Sequence, residues 1–264
     1  MALDQLYKEI EQHEWVNIPK GWLQGRTIYG GLVAGMMMHK ALTTIADSSK
    51  TLLSTSVTFV GPVQESKVRL TAEILRQGKS VTTIEVRLWQ DEAVQSILIA
   101  SFGAYRESSI SVQQERAAPE FPAAESLTIV PPPALAPQCF QQMDLVWIEG
   151  QYPCTASEKP DFSGWMRFNP QQHANREMSV ADLMVAFDMW PPGVLPMFKT
   201  FAPASSLTWH LTYVHPVRHQ LYDWFKYKVF TDYAAEGYST EYAHLWDAEN
   251  RLIAISRQTV TVFA

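Results

Sequence analysis

The chain of 264 residues is poor in several things that would mark common functional classes. It has two cysteines, Cys139 and Cys154, and neither lies in a CxxC pair, so no disulfide framework is implied. No run of 18 apolar residues occurs, so no membrane-spanning helix is expected. The first residues carry neither a basic n-region nor an apolar h-region; a secretory leader is not expected, and a reducing cytoplasm is the expected location. HExxH, GxSxG, Walker and GxGxxG motifs are missing, which removes the usual signatures of zinc peptidases, serine elbows and nucleotide loops. Basic residues do not dominate. Lys and Arg number 21 against 27 Asp and Glu, for a formal charge of −6 with the signs interspersed. That disfavours a nucleic-acid coat, which needs a basic face. A small polyanion remains possible, because a few cations and backbone N–H groups bind phosphate locally.

What is abundant is apolar residues (47%) and a long internal repeat. Residues 57–63 read Val-Thr-Phe-Val-Gly-Pro-Val and residues 211–217 read Leu-Thr-Tyr-Val-His-Pro-Val, an offset of 154. Leu98-Ile99-Ala100 and Leu252-Ile253-Ala254 keep that offset, while Leu88-Trp89 and Leu245-Trp246 drift to 157. One long period repeated once means two copies of one folding unit, since solenoid repeats are far shorter.

Periodicity fills in each copy. Residues 3–13 read as a short helix and 15–28 as strand-like. The stretch opening at Tyr29-Gly30-Gly31 is apolar nearly all round through Leu42, which predicts an enclosed helix. Four β-rich segments follow at 51–61, 66–77, 80–90 and 93–106. Residues 107–138 form a proline-rich linker. The second copy repeats the order: strands at 139–150 and 163–169, a helix from Ser179 to about Asp188, a break at Trp190-Pro191-Pro192-Gly193, then strands at 205–217, 221–232, 237–247 and 251–262. One helix wrapped by an antiparallel meander is an α+β hotdog, and two in one chain make a double hotdog. The expected domains are an N-terminal hotdog (1–106), the linker (107–138) and a C-terminal hotdog (139–264).

On these motifs the chain resembles acyl-CoA thioesterases of the thioesterase II (TesB-like) type. Trp22 through Gly31 resembles the Gly-Gly opening of that family's first helix. Ala181-Asp182-Leu183 resembles its helix-borne aspartate, Ser206-Leu207-Thr208-Trp209-His210 the strand with its hydroxyl residue, and Leu252 through Gln258 the last strand, which ends in a glutamine. The resemblance implies hydrolysis of an acyl-CoA by a water held among Asp182, Ser206 and Gln258. The family usually has Thr at the Ser206 position, and Thr208, two residues on along a strand, is the alternative hydroxyl. Substrate contacts are expected from Tyr29, Gly30, Gly31 and Trp190. No metal and no cofactor beyond the substrate's own coenzyme A is expected, and self-association is left open.

The copies differ where this chemistry falls. Gly31 stands opposite Asp182, Leu52 opposite Ser206 and Ala104 opposite Gln258. For Asp182 the competing explanation is a capping box with Ser179. A cap needed by the fold should recur in both copies, so its presence in one favours catalysis. His210, His215 and His219 lie close in sequence but lack a ligand spacing. Two other classes remain: a silent acyl-CoA binder, and a hotdog dehydratase or hydratase, which wants a histidine paired with a carboxyl group.

Overall fold

The computed structural model describes residues 3–134 and 136–263. The first half runs α1 (Leu3–Gln12), β1 (Trp15–Asn17), β2 (Leu23–Gln24), β3 (Thr27–Ile28), α2 (Gly30–Ile45), β4 (Thr51–Phe59), β5 (Lys67–Gln77), β6 (Val81–Gln90) and β7 (Ala93–Gly103). The second runs β8 (Met143–Gly150), β9 (Phe162–Phe168), α3 (Val180–Phe187), β10 (Ala204–Tyr213), β11 (Phe225–Ala235), β12 (Tyr238–Asp247) and β13 (Leu252–Val262). Eleven strands make one antiparallel sheet in the order β1-β5-β6-β7-β4-β10-β13-β12-β11-β9-β8. The strands alternate inward apolar and outward polar residues, as in β6, where Thr82, Ile84, Val86, Leu88 and Gln90 are buried. The inner face wraps α2 and α3, whose side chains are buried nearly all round. This is the double hotdog.

The halves join at β4 and β10, which pair antiparallel with Ser56 opposite His210. These two residues are 154 apart, the repeat offset itself, and Ser56 Oγ lies 2.9 Å from His210 Nδ1. A pseudo-two-fold axis therefore passes through this pair, because only there does a residue meet its own counterpart. The β-bulges repeat as well. Those at Leu52/Ser54, Ile74/Arg76 and Leu88/Trp89 return at Ser206/Thr208, Thr231/Tyr233 and Leu245/Trp246.

Three expectations need adjusting. Residues 15–28 contain only three strands of two or three residues, because Gly21 (φ +90°) and Gly25 (φ +73°) turn the chain between them. The first strand of the second half begins later than expected, after a 3₁₀ turn at Gln138–Gln142. The strand expected over 205–217 ends at Tyr213, short of Pro216, which has no N–H to give a ladder. The linker is strapped onto the second half. Trp246 Nε1 donates to Arg116 O (3.0 Å), Lys226 Nζ to Pro119 O (2.8 Å) and Trp165 Nε1 to Pro122 O (3.0 Å). The Arg116 guanidinium also lies 4.4 Å from the Phe230 ring centroid, a cation–π contact.

Candidate active site

α3 carries two carboxyl groups with opposite surroundings. Asp182 is at the helix start, where the dipole favours a negative charge. Its side chain accepts from Ser179 N (2.9 Å) and Ser179 Oγ (2.7 Å), while Asp182 N donates to Ser179 Oγ (3.2 Å): a complete capping box. Arg176 clamps it through two bonds, Nη1 to Oδ2 at 2.7 Å and Nη2 to Oδ1 at 2.9 Å, and also pairs with Asp4 of α1. Asp182 is fully buried, and each of these bonds is local to this end of the helix. The structure does not bring it to Ser206 or Gln258. Six residues of helix, about 9 Å at 1.5 Å per residue, separate it from the other end.

Asp188 stands at that other end, as the C-cap of α3. Gln258 Nε2 donates to Asp188 Oδ1 at 2.7 Å and lies 3.3 Å from Ser206 Oγ. The glutamine amide thus spends its two N–H bonds on the carboxylate and the hydroxyl. Burial pushes the Asp188 carboxyl up to about 7, while the Gln258 bond and the Gly31 N–H pull it back. The adjacent negative end of the α3 dipole acts in the same direction as burial. Ser206 and Gln258 therefore meet as expected, but around Asp188 in place of Asp182.

The bulge in β10 separates the two candidate hydroxyls. Ser206 pairs with Val260 and Thr208 with Thr259, so one extra residue, Leu207, resets the alternation between them. Beyond the bulge Trp209 and Leu211 point inward, and Thr208 is exposed on the outer face. Ser206 is the hydroxyl beside Gln258.

The start of α2 completes the site. Its N-cap, Tyr29, gives no side-chain cap. The N–H groups of Leu32 and Val33 turn back to Tyr29 O, and that of Gly31 faces Asp188. No backbone carbonyl among the described residues takes the Gly30 N–H. A Cβ at position 30 would sit 3.0 Å from Asp188 Oδ2 and 3.3 Å from the Phe59 ring, which explains a glycine there. Tyr29, expected to touch substrate, has another place: it is fully buried and its hydroxyl donates to Val185 O of α3 at 2.6 Å. Gly31 is packed under the Tyr29 ring and backs Asp188 without lining the cavity. Trp190 does line it, wedged against Trp147 and stacked on Tyr227, with ring centroids 4.5 and 5.2 Å away.

These groups surround a cavity of about 110 Å³ between the two hotdogs, walled by Gly30, Phe59 and Ser96 from the first and Asp188, Trp190, Ser206 and Gln258 from the second. A second carboxyl lies deeper. Glu241 accepts from Gly193 N (2.8 Å), and burial raises it to about 8. It ties down the loop that follows Asp188.

Among the described residues one His/acid cluster has metal-like spacing, His219, Asp247 and Glu249. Asp247 there is held by Arg251, through Nε at 2.7 Å and N at 2.8 Å, so its lone pairs are largely spent on the chain's own cation. His210 faces Ser56, and His215 lies 4.0 Å from Glu115. No described helix is long and apolar enough to cross a membrane.

A double hotdog with one acid–hydroxyl–amide cluster at the junction of its halves defines a class, the tandem hotdog enzymes. Residues 114–262 match the acyl-CoA thioesterase C-terminal domain and residues 18–103 the N-terminal domain, so the chain belongs to the acyl-CoA thioesterase family and is a thioester hydrolase. Similar solved structures include a hotdog-fold protein of unknown function from Alicyclobacillus acidocaldarius, 21% identical with a TM-score of 0.83, covering 95% of this chain and 92% of that one. A putative thioesterase II from Thermobifida fusca YX is 20% identical with a TM-score of 0.79, at 95% and 92% coverage. An acyl-CoA thioesterase II, TesB2, from Mycobacterium marinum is 18% identical with a TM-score of 0.69, at 89% and 88%. No curated protein matches the chain.

Proposed function

We propose that the protein hydrolyses an acyl-CoA with a water activated by Asp188, without metal or further cofactor. The observation that carries this is the Asp188–Gln258–Ser206 chain beside the uncapped start of α2. A general base works best with a pKa near the working pH, and a carboxyl raised to about 7 meets that condition. Ser206 and Asp188 hold the water between them, and Gln258 fixes both. As the water oxygen attacks the thioester carbonyl carbon, Asp188 takes its proton. The carbonyl π pair moves onto oxygen, where the Gly30 N–H and the positive end of the sixteen-residue α2 stabilise it. Collapse of the intermediate breaks the C–S bond, and the proton on Asp188 passes to the departing thiolate of CoA. A covalent acyl-enzyme is unnecessary, since water attacks directly.

Asp188→Asn, assayed by thiol release, is expected to lower kcat about 10³-fold while circular dichroism stays unchanged. Near-wild-type turnover in a folded Asp188→Asn protein would overturn the assignment. A silent acyl-CoA binder would release no thiol even in the wild type.

A further inference from the structure

Beside the catalytic amide stands a carboxyl group that the proposed reaction leaves unused. Gln258 pairs across β13 and β12 with Glu241, and Glu241 pairs across β12 and β11 with Thr231. Residues paired in this way share a face of the sheet, with Cβ atoms about 4.5–5.5 Å apart. Gln258 Nε2 bonds to Asp188 and Ser206, whereas Glu241 accepts from Gly193 N at 2.8 Å, in the loop that follows α3. Gly193 is pinned from its other side too. Its carbonyl accepts from Asp161 N at 2.8 Å, and Asp161 Oδ1 accepts from Thr231 N at 2.7 Å. A Cβ at 193 would lie 2.8 Å from Thr231 Oγ1, so a glycine lets the loop lie down on β11. Between this pin and Asp188 the chain runs Met189-Trp190-Pro191-Pro192, and each proline locks its φ near about −65°. A hold on Gly193 is therefore passed back to Trp190, which walls the cavity, and to Asp188. The place is a costly one for a carboxyl group. Glu241 is buried, and the charges that bear on it are the carboxylates Asp161 and Asp188. Tyr227 of β11 is the other titratable group facing it. An apolar side chain would fill the space without that cost, but it would leave the Gly193 N–H with no acceptor.

We propose that Glu241 is a positioning residue of this site: from the strand beside Gln258 it holds, through Gly193, the loop that keeps Trp190 and Asp188 in place. This rests on the thioesterase reading of Asp188 and adds to it a residue outside the cavity. Burial raises the Glu241 carboxyl to about 8, so at pH 7 it accepts from Gly193 as a neutral acid and adds no charge beside Asp188. Once ionised, it would set a second negative charge next to Gln258. There it would compete for the amide N–H bonds and oppose the oxyanion that forms as the thioester is attacked.

The test compares Glu241→Leu and Glu241→Gln with wild type by thiol release from an acyl-CoA. Glu241→Leu should lower kcat about tenfold, the worth of one hydrogen bond, with most of the loss in kcat/KM falling on kcat. Glu241→Gln keeps an acceptor and stays neutral, so it should match wild type at pH 7. Wild-type kcat should fall about tenfold per pH unit above about 8, and Glu241→Gln should lack that limb. Wild-type kcat in a folded Glu241→Leu protein overturns the positioning role. Alkaline behaviour that is the same in wild type and Glu241→Gln overturns the role of the neutral acid. Hydrogen exchange at the Gly193 amide, read by mass spectrometry on the peptide spanning 188–195, needs no turnover. It should be about tenfold faster in Glu241→Leu and unchanged in Glu241→Gln. If wild type cleaves no thioester, the reading of Asp188 fails. Even then, faster exchange in Glu241→Leu supports the hold on Gly193, and unchanged exchange overturns it.

Discussion

α2 and α3 are related by the pseudo-two-fold axis, yet their N-termini are treated in opposite ways. α3 opens with Ser179 and Asp182, which satisfy its first N–H groups, and Arg176 then neutralises the carboxylate. α2 opens with Tyr29-Gly30-Gly31, which supply no side-chain cap. The end that is chemically complete has nothing left to offer a substrate. The end left open faces a cavity and a carboxyl group held partly protonated. A helix terminus finished by its own residues is scaffold, and one left unfinished beside a high-pKa acid is where reaction can occur.

That comparison is sharpened most by exchanging readouts at the two acids. Asp188→Asn should cost about 10³ in turnover, roughly 4 kcal/mol of barrier, with the fold kept. Asp182→Ala should do the reverse. Removing it takes away the cap of α3 and half of the Arg176 clamp, leaving that guanidinium to Asp4, for about 3 kcal/mol and a fall of roughly 6–12 °C in Tm, with per-molecule kcat near wild type below the transition. Loss of activity with unchanged Tm in Asp182→Ala would break the comparison.

The pH dependence should separate the ends too. Asp188 acts ionised, so kcat/KM should fall about tenfold per pH unit below about 7. That limb should be absent from the residual activity of Asp188→Asn. Stability runs the other way. Because the folded pKa is raised, the native state keeps a proton that the unfolded chain has shed between about pH 4 and 7. Stability from this group is therefore full below pH 4 and lost as pH rises through that window. Asp188→Asn should melt higher than wild type at pH 8, with the gain gone by pH 4. The smallest effects concern the bulge: Ser206→Ala should cost about tenfold in kcat, whereas Thr208→Ala, on the outer face, should stay within about twofold.

Much of this was legible in the sequence. The repeat at offset 154 predicted the two units and their isologous joining, since His210 lies opposite Ser56. Gly30, Ser206 and Gln258, which motif order points to, and Trp190, which the apolar loop after the second helix points to, all line one cavity. Asp182, the acid that the resemblance singles out and that its one-copy cap favours, stands apart from Ser206 and Gln258, which meet Asp188. Fold-level need does not require symmetry: α3, with eight residues, has its own cap, while sixteen-residue α2 is held by enclosure and by Tyr29 bonding across to Val185. A signal for Asp188 was available. A carboxylate at a helix C-terminus opposes the dipole, so it is the acid whose position needs an explanation, whereas Asp182 sits where any helix would favour one. Thr208 could not be separated from Ser206 by spacing, because a bulge leaves no mark in a strand's hydrophobic alternation until its partner strand is known.

The pairing of Ser56 with His210 has a consequence for how the two junctions of the fold come to differ. Strand β4 meets β10 in a register centred on a residue and its own counterpart, so two copies of the first half alone would close on each other in the same way, Ser56 against Ser56. Such an assembly would be a true symmetric dimer with two equivalent junctions and no acid at either, since neither junction would contain an Asp188. Fusion into one polypeptide lets the two junctions evolve separately. One carries Asp188 beside Ser206 and Gln258, and the other anchors α1 through Asp4 and Arg176.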